Sequence, residues 1–251
     1  MIVLRSEDEI SSMRTAGGII KATFDVLRRE MRPGIRTIEL DSIAYKEITD
    51  RGGIPAFKGI KVGNRSYPAN ICVSINEVVV HGIPSQRIIE EGDIVSIDIG
   101  VKFSNFYADA AITVGVGKIS ESSKKLISVT DESLAKGIEN AVPGNRLGDI
   151  SSSIQKHVEK NGFSVVRDLV GHGIGTRLWE DPQVPNYGKA GTGPRLASGM
   201  TLAIEPMINA GNFEIETLED GWAVVTCDGK PSAHFEHTIV IREDRAEILT
   251  A

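Results

Sequence analysis

The chain has 251 residues, 41% hydrophobic and 25% charged, an ordinary globular composition with length enough for a sizeable core. A formal net charge of -6 argues against nucleic acid as the main partner, because phosphate binding needs a basic face. The acidic start MIVLRSEDEI lacks the apolar run of a signal peptide, no stretch approaches a membrane span, and two cysteines, Cys72 and Cys227, fit a reducing cytoplasm better than a disulfide scaffold.

In chain order, the first predicted helix opens with a capping box, Ser6 and Glu9. It carries Ile10, Met13, Ile20, Phe24, Leu27 and Met31 at helical spacing until Pro33-Gly34 stops it. A second helix turns Ile38, Ile43, Ala44 and Ile48 inward and ends at Gly52. The runs GDIVSIDIG and FYADAAITVGVG then predict two strands joined by a tight turn near 102–105. The plan returns 110 positions later. A helix from about Glu121 is stopped by Pro143-Gly144, another carries Ile150, Ile154 and Val158 and ends at Gly162, and Arg146 stands where Arg36 stood. Gly92-Asp-Ile-Val-Ser-Ile-Asp98 parallels Gly199-Met-Thr-Leu-Ala-Ile-Glu205, and His81-Gly82-Ile83 parallels His172-Gly173-Ile174. Four matches in one order, with no linker near 115–120, predict a single domain over 1–251. Its halves, about 1–115 and 116–251, share one core as an α+β sheet covered by helices on one side, with a site at their junction.

The chemistry lies in acids set inside apolar strands. Asp98 and Asp109 are expected nearly opposite each other across the hairpin, about 4.5–5.5 Å apart at Cβ. Glu205 (MTLAIEPM) and Glu236 (AHFEHTIVI) lie in two more strands that read as core. Like charges so close on an apolar sheet repel unless a cation lies between them or one is protonated. Acids seldom enter a core unpartnered, and four together make wet edge positions a poor account. His172, between glycines in GHGIG, completes a set of four carboxylates and one imidazole without a thiolate, which favours Mn, Fe(II) or Co over structural zinc. Its glycines let backbone and substrate come close. His81 holds the matching place in the first half. His234, in strand parity with Glu236, is expected to face the site and His237 to face away, while His157 reads as a surface residue.

At these residues the chain resembles the methionine aminopeptidases, specifically the short bacterial type-1 form. NICVSINEVVVHGIPS, EGDIVSIDIG, YADAAITVGVG, VGHGIG, GMTLAIEPM, DGWAV and FEHTIVI follow that family's blocks in order over essentially the whole length. The resemblance implies the pita-bread fold, with two pseudo-symmetric halves sharing an antiparallel sheet and a metal site at the junction. It implies two divalent ions (Co, Mn, Fe(II) or Zn) on Asp98, Asp109, His172, Glu205 and Glu236, with Asp109 and Glu236 bridging. It also implies a monovalent cation on backbone carbonyls around Asn76, Val78 and Ser232. The implied reaction removes the initiator methionine from nascent proteins whose second residue is small, by attack of a hydroxide shared between the ions. Glu205 is the implied proton shuttle, and His81 the contact to the scissile amide nitrogen. Phe57, Tyr67, Cys72, Leu178 and Trp222 match the family's methionine pocket, a lining suited to a thioether. Trp179 and His234 complete the substrate-contacting set.

One position departs from the family. Seven residues after His172 it usually carries a second histidine that contacts the substrate carbonyl, and here Trp179 stands there. An indole keeps one N–H donor but neither titrates nor accepts. Loss of one such donor is worth on the order of 10²–10³ in rate, so a lowered rate or an altered substrate pocket is expected. The rival readings are an X-Pro peptidase of the same fold, which usually carries an extra N-terminal domain, and a non-catalytic pita-bread binding protein, which only Trp179 supports. Expected partners are nascent polypeptide N-termini, with a weak and transient ribosome contact, no membrane and no specific nucleic acid. A cytoplasmic monomer is the family expectation. The Gly- and Lys/Arg-rich segment 186–199 is expected as a surface loop beside the site mouth.

Overall fold

The computed structural model describes residues 2–251. Helix α1 (Glu7–Glu30) opens with the expected capping box: the Glu9 N–H donates to Ser6 Oγ and the Ser6 N–H to Glu9 Oε2, at 3.4 and 2.7 Å. Its apolar stripe is buried from Ile10 to Leu27, and Met31 has left the helix as its C-cap. Helices α2 (Thr37–Asp50), α3 (Glu121–Glu139) and α4 (Leu147–Lys160) follow. The Arg36/Arg146 match marks a backbone device. Each arginine is an N-cap whose own N–H donates to an acid three residues on, Arg36 to Glu39 (2.9 Å) and Arg146 to Asp149 (2.7 Å). His157, on α4, is half-buried with Nε2 3.1 Å from Glu132, rather than on the surface.

The strands that matter are β1 (Cys72–Ile75), β2 (Ile94–Phe103), β3 (Phe106–Gly115), β4 (Gly171–Gly173), β5 (Glu180–Val184), β6 (Thr201–Ile204), β7 (Ser232–His234) and β8 (Glu236–Ile241). A nine-stranded sheet runs Ile54–Pro55, β2, β3, β8, β6, β4, β5, with β1 also on β2 and Ala246–Ile248 also on β8. Every pairing in it is antiparallel. Side chains alternate across the strands. One face, with Ile97, Ile99, Val101, Ala108 and Ala110, packs into a single core with Ile19 and Ile20 of α1, Ile48 of α2 and Leu126 of α3. The other face carries Asp98, Asp109 and Glu236. No helix among the described residues is long and apolar enough to cross a membrane.

The halves meet where β3 pairs β8, and the ladder there is short: Ala111 opposite Glu236 and Ala110 opposite His237. On either side of it a threonine hydroxyl stands between the two backbones. Thr238 Oγ1 accepts the Asp109 N–H and donates to the Asp109 carbonyl, at 2.9 and 2.8 Å. Thr113 Oγ1 does the same for His234, at 2.9 and 2.7 Å. A hydroxyl suits this place because it donates and accepts at one atom.

The hairpin corrects one expectation. Phe103 closes on Phe106 around a two-residue turn, so Asp98 lies opposite Ala111 and Asp109 opposite Gly100. The aspartates share a face but are diagonal neighbours, roughly 7 Å apart at Cβ rather than directly opposed.

Candidate active site

Register gathers the site. Asp98, Ala111 and Glu236 form one cross-strand row, and His172, Ala203 and Thr238 form another. An alanine at the centre of each row leaves room above the sheet. Ligand atoms of Asp109, His172 and Glu236 all lie within 4.8 Å of one another. Glu205, just past β6, sets Oε1 3.6 Å from His172 Nε2 and Oε2 3.9 Å from His234 Nε2. All five predicted ligands line one cavity of about 280 Å³.

His172 Nδ1 lies 2.9 Å from the Gly173 carbonyl. An N–H donated there leaves the Nε2 lone pair facing the acids, the tautomer a metal ligand needs. The flanking glycines also serve the sheet. A Cβ at Gly171 would stand 2.4 Å from the Ala203 carbonyl, and one at Gly173 2.0 Å from the Asp181 carbonyl. His81 reaches its place differently from its sequence counterpart. It lies outside any strand with φ +59°, a backbone conformation uncommon for a residue with a Cβ, and such residues often mark functional sites.

Burial drives the electrostatics. It pushes Asp109 up to about 7. Burial, then the Asp109 charge, holds Glu205 well above the usual carboxylate range. Burial followed by neighbouring carboxylates does the same to Asp98 and Glu236. It also lowers His81, takes His172 down to about 4 and His234 to about 3, so the imidazoles are neutral at pH 7. Asp98 Oδ1, Asp109 Oδ1, Glu236 Oε1 and His234 Nε2 are buried without a hydrogen-bond partner. Buried acceptors with no donor nearby are costly, and oxygen donors with one imidazole are a divalent-metal donor set. The residues fit such a centre.

The fit has a thermodynamic consequence. A carboxyl whose folded pKa is raised contributes stability that is fully present below its unfolded pKa and lost as pH rises through its folded value. The metal-free protein is therefore expected to lose stability between about pH 4 and the folded values, with Asp109 at about 7. Below those folded values a cation must displace protons. The rise in Tm on adding Mn is thus expected to be larger at pH 8 than at pH 5. Equal rises, measured calorimetrically, would remove the carboxylates from the binding site.

Phe57, Tyr67, Cys72 and Trp222 wall the same cavity, joined by Ile60 and Leu169. Tyr67 stands edge-on to both Phe57 and Trp222, with ring centroids 6.5 and 5.1 Å apart. Its hydroxyl lies 3.1 Å from each of the Ile71 and Gly82 carbonyls. Gly100 makes room for the wall, since a Cβ there would stand 2.6 Å from the Phe57 ring. Leu178 belongs to the same buried cluster without reaching the cavity surface, and His234 lies behind Glu205. Leu169 was not singled out in the sequence, although its place three residues before His172 was the available signal. A second cavity of about 530 Å³ opens from the first and shares His81, Leu169, His172, Trp179 and Glu205 with it. Segment 186–199 lines neither cavity. It packs on α4 instead, where the Gly191 N–H donates to Asp149 and Arg146 Nη1 to the Gly193 carbonyl.

Residues 11–243 match the model of metallopeptidase family M24. The chain is 54% identical, over 100% of its length and 99% of the relative's, to a methionine aminopeptidase of Clostridium perfringens. It is 52% identical, with the same coverage, to methionine aminopeptidase 1 of Bacillus subtilis. The solved methionine aminopeptidase of Thermotoga maritima superposes with a TM-score of 0.96 at 46% identity, covering 100% of this chain and 99% of that one.

Proposed function

The chain belongs to metallopeptidase family M24 and, within it, to the methionine aminopeptidases, and from that premise we propose how its residues carry the reaction. It is a metal-dependent aminopeptidase that removes the N-terminal methionine of nascent proteins when the second residue is small. One observation carries the division of labour: buried acids, three of them with an oxygen that has no hydrogen-bond partner, line the same cavity as aromatic rings and a thiol. Asp98 and Asp109 come from one half and His172, Glu205 and Glu236 from the other, so residues 1–251 act as one catalytic domain.

Asp98, Asp109, His172, Glu205 and Glu236 would hold two divalent ions, drawn from Mn, Co, Fe(II) and Zn. When bound, such ions supply Lewis acidity and lower the pKa of the attacking water. Phe57, Tyr67, Cys72 and Trp222 take the methionine side chain and exclude water from it, with Leu178 bracing them from behind. Glu205 carries the proton at its carboxylate, taking it from the attacking water and giving it to the departing amide nitrogen. His234, neutral, lies behind that carboxylate at 3.9 Å, beyond hydrogen-bond reach. His81 lines both cavities and so stands at the scissile bond, where its neutral imidazole meets the amide nitrogen. The carbonyls of Asn76, Val78 and Ser232 would hold a monovalent cation, near the Ser232 N–H that donates to the Asn76 carbonyl at 2.8 Å. The protein works in the cytoplasm as a monomer and meets the ribosome only transiently.

The test is cleavage of Met-Ala-Ser by metal-free protein with Mn, Co, Fe(II) or Zn restored singly, and Ala-Pro as the control substrate. Metal-dependent release of free methionine is expected, with Ala-Pro untouched. Release from Ala-Pro alone would overturn the reading, as would no release from protein loaded with two ions.

A further inference from the structure

We propose that Trp179 determines specificity beyond the second residue, as a rigid ledge on which the third residue of the substrate packs. The inference rests on the methionine-removing reading above.

Trp179 is 51% exposed, yet it lines both cavities. Its backbone is fixed on both sides. Leu178 is buried in the aromatic cluster, and the Glu180 side chain is only 7% exposed. Beneath the turn, the Glu180 carboxylate pairs with the buried guanidinium of Arg5, and it also accepts the Arg177 N–H (3.0 Å) and the Thr176 hydroxyl (3.1 Å). Gly175 leaves space for that guanidinium, since a Cβ there would stand 2.0 Å from Arg5 Nη2. A braced turn presents the indole without the ordering cost a mobile loop would incur, as preorganised binding surfaces do.

The position of Trp179 selects the residue it meets. In an extended peptide, side chains one and three point the same way, about 6–7 Å apart, and side chain two points away. With the methionine side chain in the aromatic cavity, the chain leaves through the second cavity. Side chain three then passes the wall that the two cavities share, where Trp179 stands. Arg177, Glu180, Asp181 and Gln183 make much of the second cavity polar, and the indole offers a broad apolar surface within it. Packing of an aromatic third residue on it is expected to favour that substrate about tenfold. An indole neither titrates nor accepts, so this role is independent of proton transfer.

The experiment measures kcat and KM for Met-Ala-Phe and Met-Ala-Gly with wild type, Trp179→Ala, Trp179→Phe and Trp179→His. For wild type, KM is expected about tenfold lower with phenylalanine while kcat changes little. The preference should fall to near one in Trp179→Ala and survive largely in Trp179→Phe. Trp179→His should lose most of it whatever happens to its kcat. A second readout needs no turnover. In metal-free protein, the emission difference between wild type and Trp179→Ala isolates this one of the chain's two tryptophans, and it should shift on adding Met-Ala-Phe but not Met-Ala-Gly. An unchanged preference in Trp179→Ala, a wild-type preference near one, or no emission shift with Met-Ala-Phe would overturn the ledge. Absence of methionine release from either peptide by metal-loaded wild type is a separate outcome, and it overturns the reading beneath the ledge.

Discussion

Replacing Glu205 by glutamine is expected to lower kcat for methionine release by on the order of 10²–10⁴, while raising the Tm of the metal-free protein at pH 8. The amide keeps the shape of the side chain but cannot carry the proton between attacking water and leaving nitrogen. Stability moves the other way because burial and the Asp109 charge hold Glu205 well above the usual carboxylate range. At pH 8 the folded, metal-free chain either retains a proton that the unfolded chain has lost or bears a charge among other buried acids, and both cost free energy. Glutamine removes that cost, worth roughly 0.5–2 kcal/mol by analogy with other relieved active sites, or a few degrees in a chain of this size. Steady-state kinetics and calorimetry on one pair of proteins check both signs. A fall in kcat below about tenfold would dismiss Glu205 as proton carrier, and a lower Tm would dismiss the strained carboxylate.

Arg5→Ala is expected to destabilise the protein by about 3–5 kcal/mol, the usual cost of leaving one partner of a buried ion pair alone, or roughly 6–20 °C in Tm. Arg5 and Glu180 have side chains only 4% and 7% exposed, and their pairing ties the start of the chain to the first residue of β5. Burial works against the Glu180 charge, but the Arg177 N–H and Arg5 hold its carboxyl below the ordinary value. With that sign, the contribution is present above the unfolded pKa of about 4.3 and lost as pH falls through the lower folded value. The variant and wild type should therefore converge on acidification. The double change Arg5→Met, Glu180→Leu should recover much of the loss, because apolar pairs of similar volume replace buried ion pairs well. A single variant that melts within about 1 kcal/mol of wild type would show that solvent reaches the pair.

Much of this was legible in the sequence because it is local or periodic. The Ser6–Glu9 box, the buried stripe of α1, the repeat, and acids spaced inside apolar strands need only spacing and propensity to be read. What the sequence hid depends on register and on long-range packing. Whether Asp98 faces Asp109 directly or diagonally turns on a two-residue turn rather than a slightly longer one. The role of Gly171 and Gly173 depends on where the Ala203 and Asp181 carbonyls lie, far along the chain. The resemblance places Leu178 in the cavity wall, but its neighbour Trp179 takes the surface and Leu178 the support. His81 and His172 look alike as His-Gly-Ile, yet one is in a strand and the other in a left-handed bend. Arg5 carried no signal, because nothing near it in sequence announces a partner at position 180.

The threonines at the junction of β3 and β8 give the site a mechanical character. Only two residue pairs join the halves by direct pairing there, one of them containing Glu236, and the hydroxyls of Thr113 and Thr238 continue the line through His234 and Asp109. The chemistry thus sits on the hem of two pieces of cloth, with the stitches made partly by the reacting residues' own backbones. A cation held by Asp109 from one side and Glu236 from the other would be a rivet through that hem, so filling the centre would also fasten the two repeats together.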